Sequence, residues 1–292
     1  MDKKGFFGRL ALFATALIWG TSFVIMKNTL SSLGVFWMLA VRFTVSAVLL
    51  ALLSRKKLRH MSREVLRGSV LMGLCLAAAY IFQTYGLVYT TPGKNAFLTT
   101  AYCVLVPFMA WGIYRRRPNA ADVIAAVLCI AGIGFVCLDN GFSDVNLGDM
   151  LTLCCGVFYA LQLIMLEHYG PGNDALAITA VEFAVGAAVF WCGALLFESA
   201  PAGVDPGAWW NIAYLSIVCT AVCYFLQTWG MKYTPSAQGA VIQTFEAVFG
   251  VLFSVLLYGE PLTPRLIIGF ALIFVSVVIP EIVPKPSAAK TE

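Results

Sequence analysis

The octapeptide QTYGLVYT at 83–90 returns as QTWGMKYT at 227–234, and AVRFTVSAV at 40–48 returns as AVEFAVGAA at 180–188. The first pair is separated by 144 positions and the second by 140, in the same order along the chain. Two matches at nearly one offset argue against chance likeness between apolar segments. The chain reads as two copies of one unit.

The surroundings of these strings set the class. Hydrophobic residues make up 60% of the 292 positions and charged residues 12%, with a mean hydropathy of +0.85. A soluble domain carries roughly 25% charged residues. This chain has too few to cover a water-facing surface, and it is too apolar to be disordered. A polytopic membrane protein remains. A bilayer core needs roughly 20 apolar residues per helix, and ten such spans are read at 9–27, 34–53, 68–89, 95–114, 120–138, 149–168, 175–197, 209–231, 238–258 and 265–284. The run after Lys3, Lys4 and Arg9 is long enough to span and lacks a convincing cleavage site, so it reads as the first helix rather than a signal peptide. Breakers separate the spans: YTTPG (89–93), RRRP (115–118), GPGN (170–173) and GEPLTP (259–264).

The fold class expected is an all-α polytopic membrane protein. The 140–144 offset places spans 1–5 over spans 6–10, giving a first five-helix repeat at 9–138, a second at 149–284 and a tail at 285–292. An odd number of spans per copy makes the second copy enter from the opposite face, an inverted repeat of the kind that builds secondary transporters. Positively charged residues mark the cytoplasmic side. With the N-terminus inside, 15 of the 19 Lys and Arg lie at inner segments, only Lys27, Lys94 and Arg265 lie at outer ends, and Arg42 is left in the membrane. Both termini are then cytoplasmic. Asp139, Asp144, Asp149, Glu198 and Asp205 fall in outer loops without Lys or Arg. Trp37, Trp111, Trp209, Trp210 and Tyr258 near helix ends suit the interfacial aromatic belt.

Ionisable groups inside a bilayer are costly and mark paths, relays or pairs. Arg42, Glu182 and Glu246 each lie about seven or eight residues into a span, roughly 12 Å deep at 1.5 Å per residue. Arg42 and Glu182 occupy equivalent repeat positions with opposite charge, so pairing across the pseudo-axis is one reading and local satisfaction of each is another. Glu246, whose repeat partner is Tyr102, can bind a cationic group, take and release a proton, or serve as a buried structural acceptor. Uncharged polar and aromatic residues at the same depth complete a candidate substrate site: Trp19, Tyr80, Gln83, Tyr102, Tyr159, Gln162, Tyr224, Gln227 and Gln243, with Thr21, Ser22 and Thr99 beside them. Such groups in hydrocarbon without partners cost several kcal/mol, so they face a cavity or glue helices together. Aromatic walls with one carboxylate suit neutral, zwitterionic or cationic amphiphiles and suit polyanions poorly.

The rest is negative. The nine cysteines read as small apolar helix residues, with no disulfide framework or zinc site. No Walker loop, HExxH or GxSxG appears, so no cofactor, no metal, no catalytic residue and no enzyme is expected, and nucleic-acid binding is not implied. The basic run RKKLRHMSREVLR (55–67) reads as a topology anchor within reach of anionic headgroups.

Several strings together resemble the drug/metabolite transporter superfamily, in its EamA-type branch of ten-helix exporters. They are ALIWGTSFVIMK (16–27), AVRFTVSAVLLALL (40–53), TPGKNAFLTTAYCVLVP (91–107) and KYTPSAQGAVIQTFEAVFGVLFSVLLYGEPLTPRLIIGFALI (232–273). The chain departs from the family pattern at Glu246, which Ala247 follows where Pro is common, while Pro107 is kept in span 4. The resemblance implies a small-molecule exporter in a bacterial cytoplasmic membrane. The expected function is alternating-access transport of a small metabolite, amino-acid-like or amphipathic compound, with proton coupling through Glu246 or none. An importer or facilitated-diffusion permease of the same fold is the alternative. A non-transporting receptor or assembly partner is the distant one.

Overall fold

The computed structural model describes residues 3–115, 117–138, 146–234 and 236–282. Arg116, Asp139, Asp144 and the tail at 285–292 lie outside the described residues. Among the described residues ten helical spans follow one another: α1 (Lys3–Thr29), α2 (Val35–Leu58), α3 (Arg63–Tyr89), α4 (Pro92–Tyr114), α5 (Ala120–Cys137), α6 (Leu147–Tyr169), α7 (Ala175–Phe197), α8 (Pro206–Lys232), α9 (Ser236–Phe253, continued as a π-helix over Ser254–Tyr258) and α10 (Pro264–Ile282). Among the described residues nine are long and apolar enough to cross a membrane, and the tenth, α10, is apolar over a shorter stretch. The all-helical membrane architecture expected from the hydropathy is what the chain adopts.

Local chemistry explains the ends. Ser62 caps α3 by accepting from the Val65 amide, which starts that helix before its apolar run. Asn119 and Asp122 form a capping box at α5. At α2 a distant group does the work. The Glu198 carboxylate accepts the Phe36 and Trp37 amides, both at 3.0 Å, and ties the end of α7 to the start of α2. Trp111, Trp209, Trp210 and Tyr258 are exposed near helix ends.

Two interruptions decide where the site forms. Helix α4 divides into Pro92–Thr100 and Tyr102–Tyr114. Thr100 Oγ1 donates to the Phe97 carbonyl at 2.7 Å, and the next backbone bonds tighten to three-residue steps around Ala101. Pro107, by contrast, sits inside a segment that stays helical. Helix α8 is π-helical over Tyr214–Val222. Thr220 Oγ1 donates to Leu215 O at 2.7 Å, five residues back. The widened turn presents carbonyls sideways: Cys219 O accepts from Trp19 Nε1 (2.6 Å) and Ser216 O accepts from Ser46 Oγ (2.9 Å).

The packing repeats at the offset of the two sequence strings. Helix α3 lies on α6 where Gly86 meets Gly148. A Cβ on either would stand 2.9 or 2.6 Å from the other's carbonyl oxygen. Helix α1 lies on α8 where Gly8 meets Gly230, with corresponding distances of 3.1 and 2.8 Å. Gly8 and Gly148 are 140 positions apart, and Gly86 and Gly230 are 144 apart. Close backbone approach replaces the hydrophobic drive that lipid does not supply.

Gly148→Ala is expected to lower stability by about 1–3 kcal/mol through overpacking against backbone. Gly134→Ala, where a Cβ meets nothing within 4 Å, is expected to leave it unchanged or raised. Thermal unfolding in detergent separates the two.

Candidate functional site

A cavity of about 420 Å³ lies at the centre of the bundle. All ten residues expected at a substrate site line it: Trp19, Tyr80, Gln83, Tyr102, Tyr159, Gln162, Tyr224, Gln227, Gln243 and Glu246. Ser22, Thr99 and Arg42 line it too. Thr21 does not, because its hydroxyl donates to Ile18 O (2.7 Å) and meets the Tyr214 hydroxyl (3.0 Å). Glu182 stands behind the wall, 3% exposed.

The polar groups bond in pairs that respect the repeat. Gln83 Nε2 donates to Thr99 Oγ1 at 3.1 Å, and Gln227 Nε2 donates to Gln243 Oε1 at 2.8 Å. Both members of the second pair lie 144 positions after those of the first. The aromatic rings follow suit. Tyr80 and Tyr159 meet at 5.9 Å, and their counterparts Tyr224 and Trp19 at 5.5 Å. Tyr102 adds a ring 5.6 Å from Tyr159. Tyr159 also donates to Gln83 Oε1 at 3.0 Å.

Charge breaks the symmetry. Arg42, 3% exposed, donates through Nε to Thr220 Oγ1 and through Nη1 to Met26 Sδ, each at 3.0 Å, and its guanidinium lies 5.4 Å from the Tyr80 ring centre. Glu182 accepts from Gln162 Nε2 at 3.2 and 3.3 Å. Among the described residues no ion pair joins Arg42 to Glu182. The two are satisfied separately, Arg42 by Thr220 and Met26 and Glu182 by Gln162. Glu246 has no hydrogen bond or ion pair to protein among the described residues, although it shares the cavity with Arg42. A carboxylate and tyrosine faces in one lining are groups of the kind that attract a cation.

The cavity is sealed at one end. Glu260, beside Gly259 in the left-handed region (φ 76°), accepts from Thr91 Oγ1 (2.5 Å), the Gly93 amide (3.0 Å) and Ser254 Oγ. Asp149 accepts from Thr90 Oγ1 (2.5 Å) and pairs with Lys94 at 3.8 Å. Lys27 Nζ donates to the carbonyls of Leu87, Val88 and Thr90. The α3–α4 turn is thus held by α1, α6 and the α9–α10 turn at once. Below it α9 packs on the first segment of α4, where Ala96 meets Gly250. The second segment of α4 diverges from α9. There the lining reaches Leu166, Met231 and Pro280, close to the helix ends that carry the basic segments.

Sequence reading missed Thr100 and Thr244, which also line the cavity. They are 144 positions apart, so extending the repeat register by one residue from Thr99 and Gln243 would have found them. It missed the Glu260 seal because an acidic residue in a turn has an ordinary solvated reading.

Both halves of the chain match the model of the EamA-like transporter family, at residues 6–138 and 146–280. An uncharacterized transporter of Archaeoglobus fulgidus is 31% identical over 285 residues, covering 94% of this chain and 86% of its own. The uncharacterized transporter YetK of Bacillus subtilis is 24% identical, covering 94% and 88%. A solved crystal structure superposes with a TM-score of 0.66 over 93% of this chain and 96% of its own, at 17% identity, which is a likeness of fold.

Arg42→Lys keeps the charge but loses the fork that reaches Thr220 and Met26 together. It is expected to destabilise the protein by roughly 1–3 kcal/mol, the cost of leaving a buried polar partner unmet, as read by thermal unfolding. Glu260→Ala is expected to cost a similar amount.

Proposed function

The chain belongs to the EamA-like transporter family, and on that premise we propose that it is a secondary transporter for small amphipathic compounds carrying an amine, amino-acid-like compounds included. As a family member it is an integral membrane protein that moves a small molecule across a bilayer. The finer reading concerns what it carries, and which way.

The observation that carries this reading is the Glu246 carboxylate, set without a hydrogen bond or ion pair among the described residues in an aromatic-walled cavity at the centre of the bundle. A desolvated carboxylate has strong reason to take a cation, and four tyrosines and Trp19 offer ring faces to an ammonium and apolar area to its substituent. Arg42 keeps guanidinium N–H groups beyond its bonds to Thr220 and Met26, and these suit the carboxylate of a zwitterion.

The transport cycle is alternating access between two inverted five-helix units, 9–138 and 149–284, with both termini cytoplasmic. Support comes from the matched pairs Gly86–Gly148 and Gly8–Gly230, and from Gln83–Thr99 and Gln227–Gln243. Two equivalent halves can exchange conformations, so that the end now sealed opens as the other closes. The cavity reaches toward the basic end, and basic segments face the cytoplasm. The conformation is therefore inward-facing, ready to load from inside a bacterial cell, and the net direction is export. Glu246 serves either as a plain cation site or as the group that exchanges a proton for substrate.

Purified protein is expected to gain thermal stability with phenethylamine, since a ligand that binds only the folded state stabilises it by about 2.7 kcal/mol at a hundred times its dissociation constant. Glu246→Gln is expected to keep its basal stability and lose that gain. A gain retained in the variant removes Glu246 as the cation site. Efflux of labelled amine from loaded cells, compared with uptake, tests the direction. Uptake against the gradient would make it an importer.

A further inference from the structure

Glu182 lies in the middle of α7, which packs against α2 and α3. It is buried, it does not line the cavity, and no cation pairs with it among the described residues. Its hydrogen-bond partner is Gln162 of α6, whose Nε2 approaches both carboxylate oxygens, at 3.2 and 3.3 Å.

A glutamine amide has two unlike ends, a donating nitrogen and an accepting carbonyl oxygen. A carboxylate accepts, so it draws the nitrogen and leaves the carbonyl on the other side. Gln162 is a lining residue, so its carbonyl oxygen is the end left for the cavity. Two of the other lining glutamines differ. The Gln83 carbonyl accepts from Tyr159 and the Gln243 carbonyl accepts from Gln227. The Gln162 orientation is thus set from outside the cavity, by a residue that never touches what the cavity holds.

We propose that Glu182 is a positioning residue for substrate selection: it turns the Gln162 carbonyl toward the cavity and so supplies an ammonium group with a second acceptor in addition to Glu246. The inference rests on the amine reading of the cavity given above. It also accounts for the opposite signs at equivalent repeat positions. Arg42 lines the cavity and contributes donors directly, whereas Glu182 stands back and contributes an acceptor through an amide.

The test compares two probes of one shape on the full-length purified protein, phenethylamine and 2-phenylethanol, through the ratio of their affinities. Wild type is expected to prefer the amine. Glu182→Gln, which can donate as well as accept and so no longer dictates the orientation of Gln162, is expected to lower the ratio about tenfold, the size of one hydrogen bond to a charged group. Glu182→Asp keeps the carboxyl group but is one methylene shorter, and is expected to lower it as well. Gln162→Leu is expected to give the same loss, and Glu182→Gln added to Gln162→Leu no further loss, since one acts through the other. A purely structural Glu182 would weaken both probes together and leave the ratio alone. A ratio unchanged in Glu182→Gln and Glu182→Asp, or losses that add in the double variant, overturns the proposal. If Glu182→Gln does not fold, Glu182→Asp and Gln162→Leu decide it. A wild type without preference for the amine overturns the reading of the cavity itself. A preference lost in Glu246→Gln but kept in both Glu182 variants overturns only the role of Glu182.

Discussion

Inside a bilayer a polar group has no water to bond, so each must find a partner in the protein or line a space that a polar molecule can enter. That constraint organises the centre of this bundle. Gln83, Thr99, Gln227 and Gln243 satisfy one another in two equivalent pairs. Trp19 spends its indole N–H on Cys219 O, a carbonyl turned outward by the π-helical turn of α8. Arg42 uses Thr220 of the same π segment. Glu246, without a partner of its own among the described residues, is left facing the cavity. The cavity exists where the bundle stops satisfying itself.

The same logic runs the two ends. At one, charged groups converge on the α3–α4 turn: Lys27 on its carbonyls, Asp149 on Thr90 and Glu260 on Thr91 and Gly93. Charge-assisted bonds are stronger than neutral ones, and they hold α1, α6 and the α9–α10 turn to one loop. Below that loop the interruption at Ala101 lets the second part of α4 depart from α9 while the first stays packed on it. A single break in one helix therefore lies between the end tied together by charged groups and the end toward which the cavity's lining reaches.

Much of this was legible in the residues. Ten apolar runs announced ten helices, because hydrocarbon thickness dictates their length. The offset strings placed Tyr80 with Tyr224 and Gln83 with Gln227, and depth counted from helix ends brought all ten candidate residues to one cavity. Depth alone cannot give direction, however: it left Arg42 and Glu182 open to pairing, whereas Arg42 lines the cavity and Glu182 does not. The α4 break was not legible either. Pro107 lies inside the helical Tyr102–Tyr114 segment, whereas the hydroxyl of Thr100, an ordinary residue in a helix, marks the interruption. The π segment of α8 has no sequence signature, since its extra residue is absorbed by Thr220 bonding five residues back.

The central claim is that the two ends open in turn around this cavity. It is tested most directly by pulsed electron–electron distance measurements on spin labels in a cysteine-free background. One pair, at Ile113 and Gln238, reports the basic end. The other, at Tyr89 and Tyr258, reports the sealed end, and all four positions are exposed. The account predicts two populations at each pair, with amine shifting them reciprocally, the basic-end distance shortening as the sealed-end distance lengthens. A single fixed distance at both pairs under all conditions would contradict it.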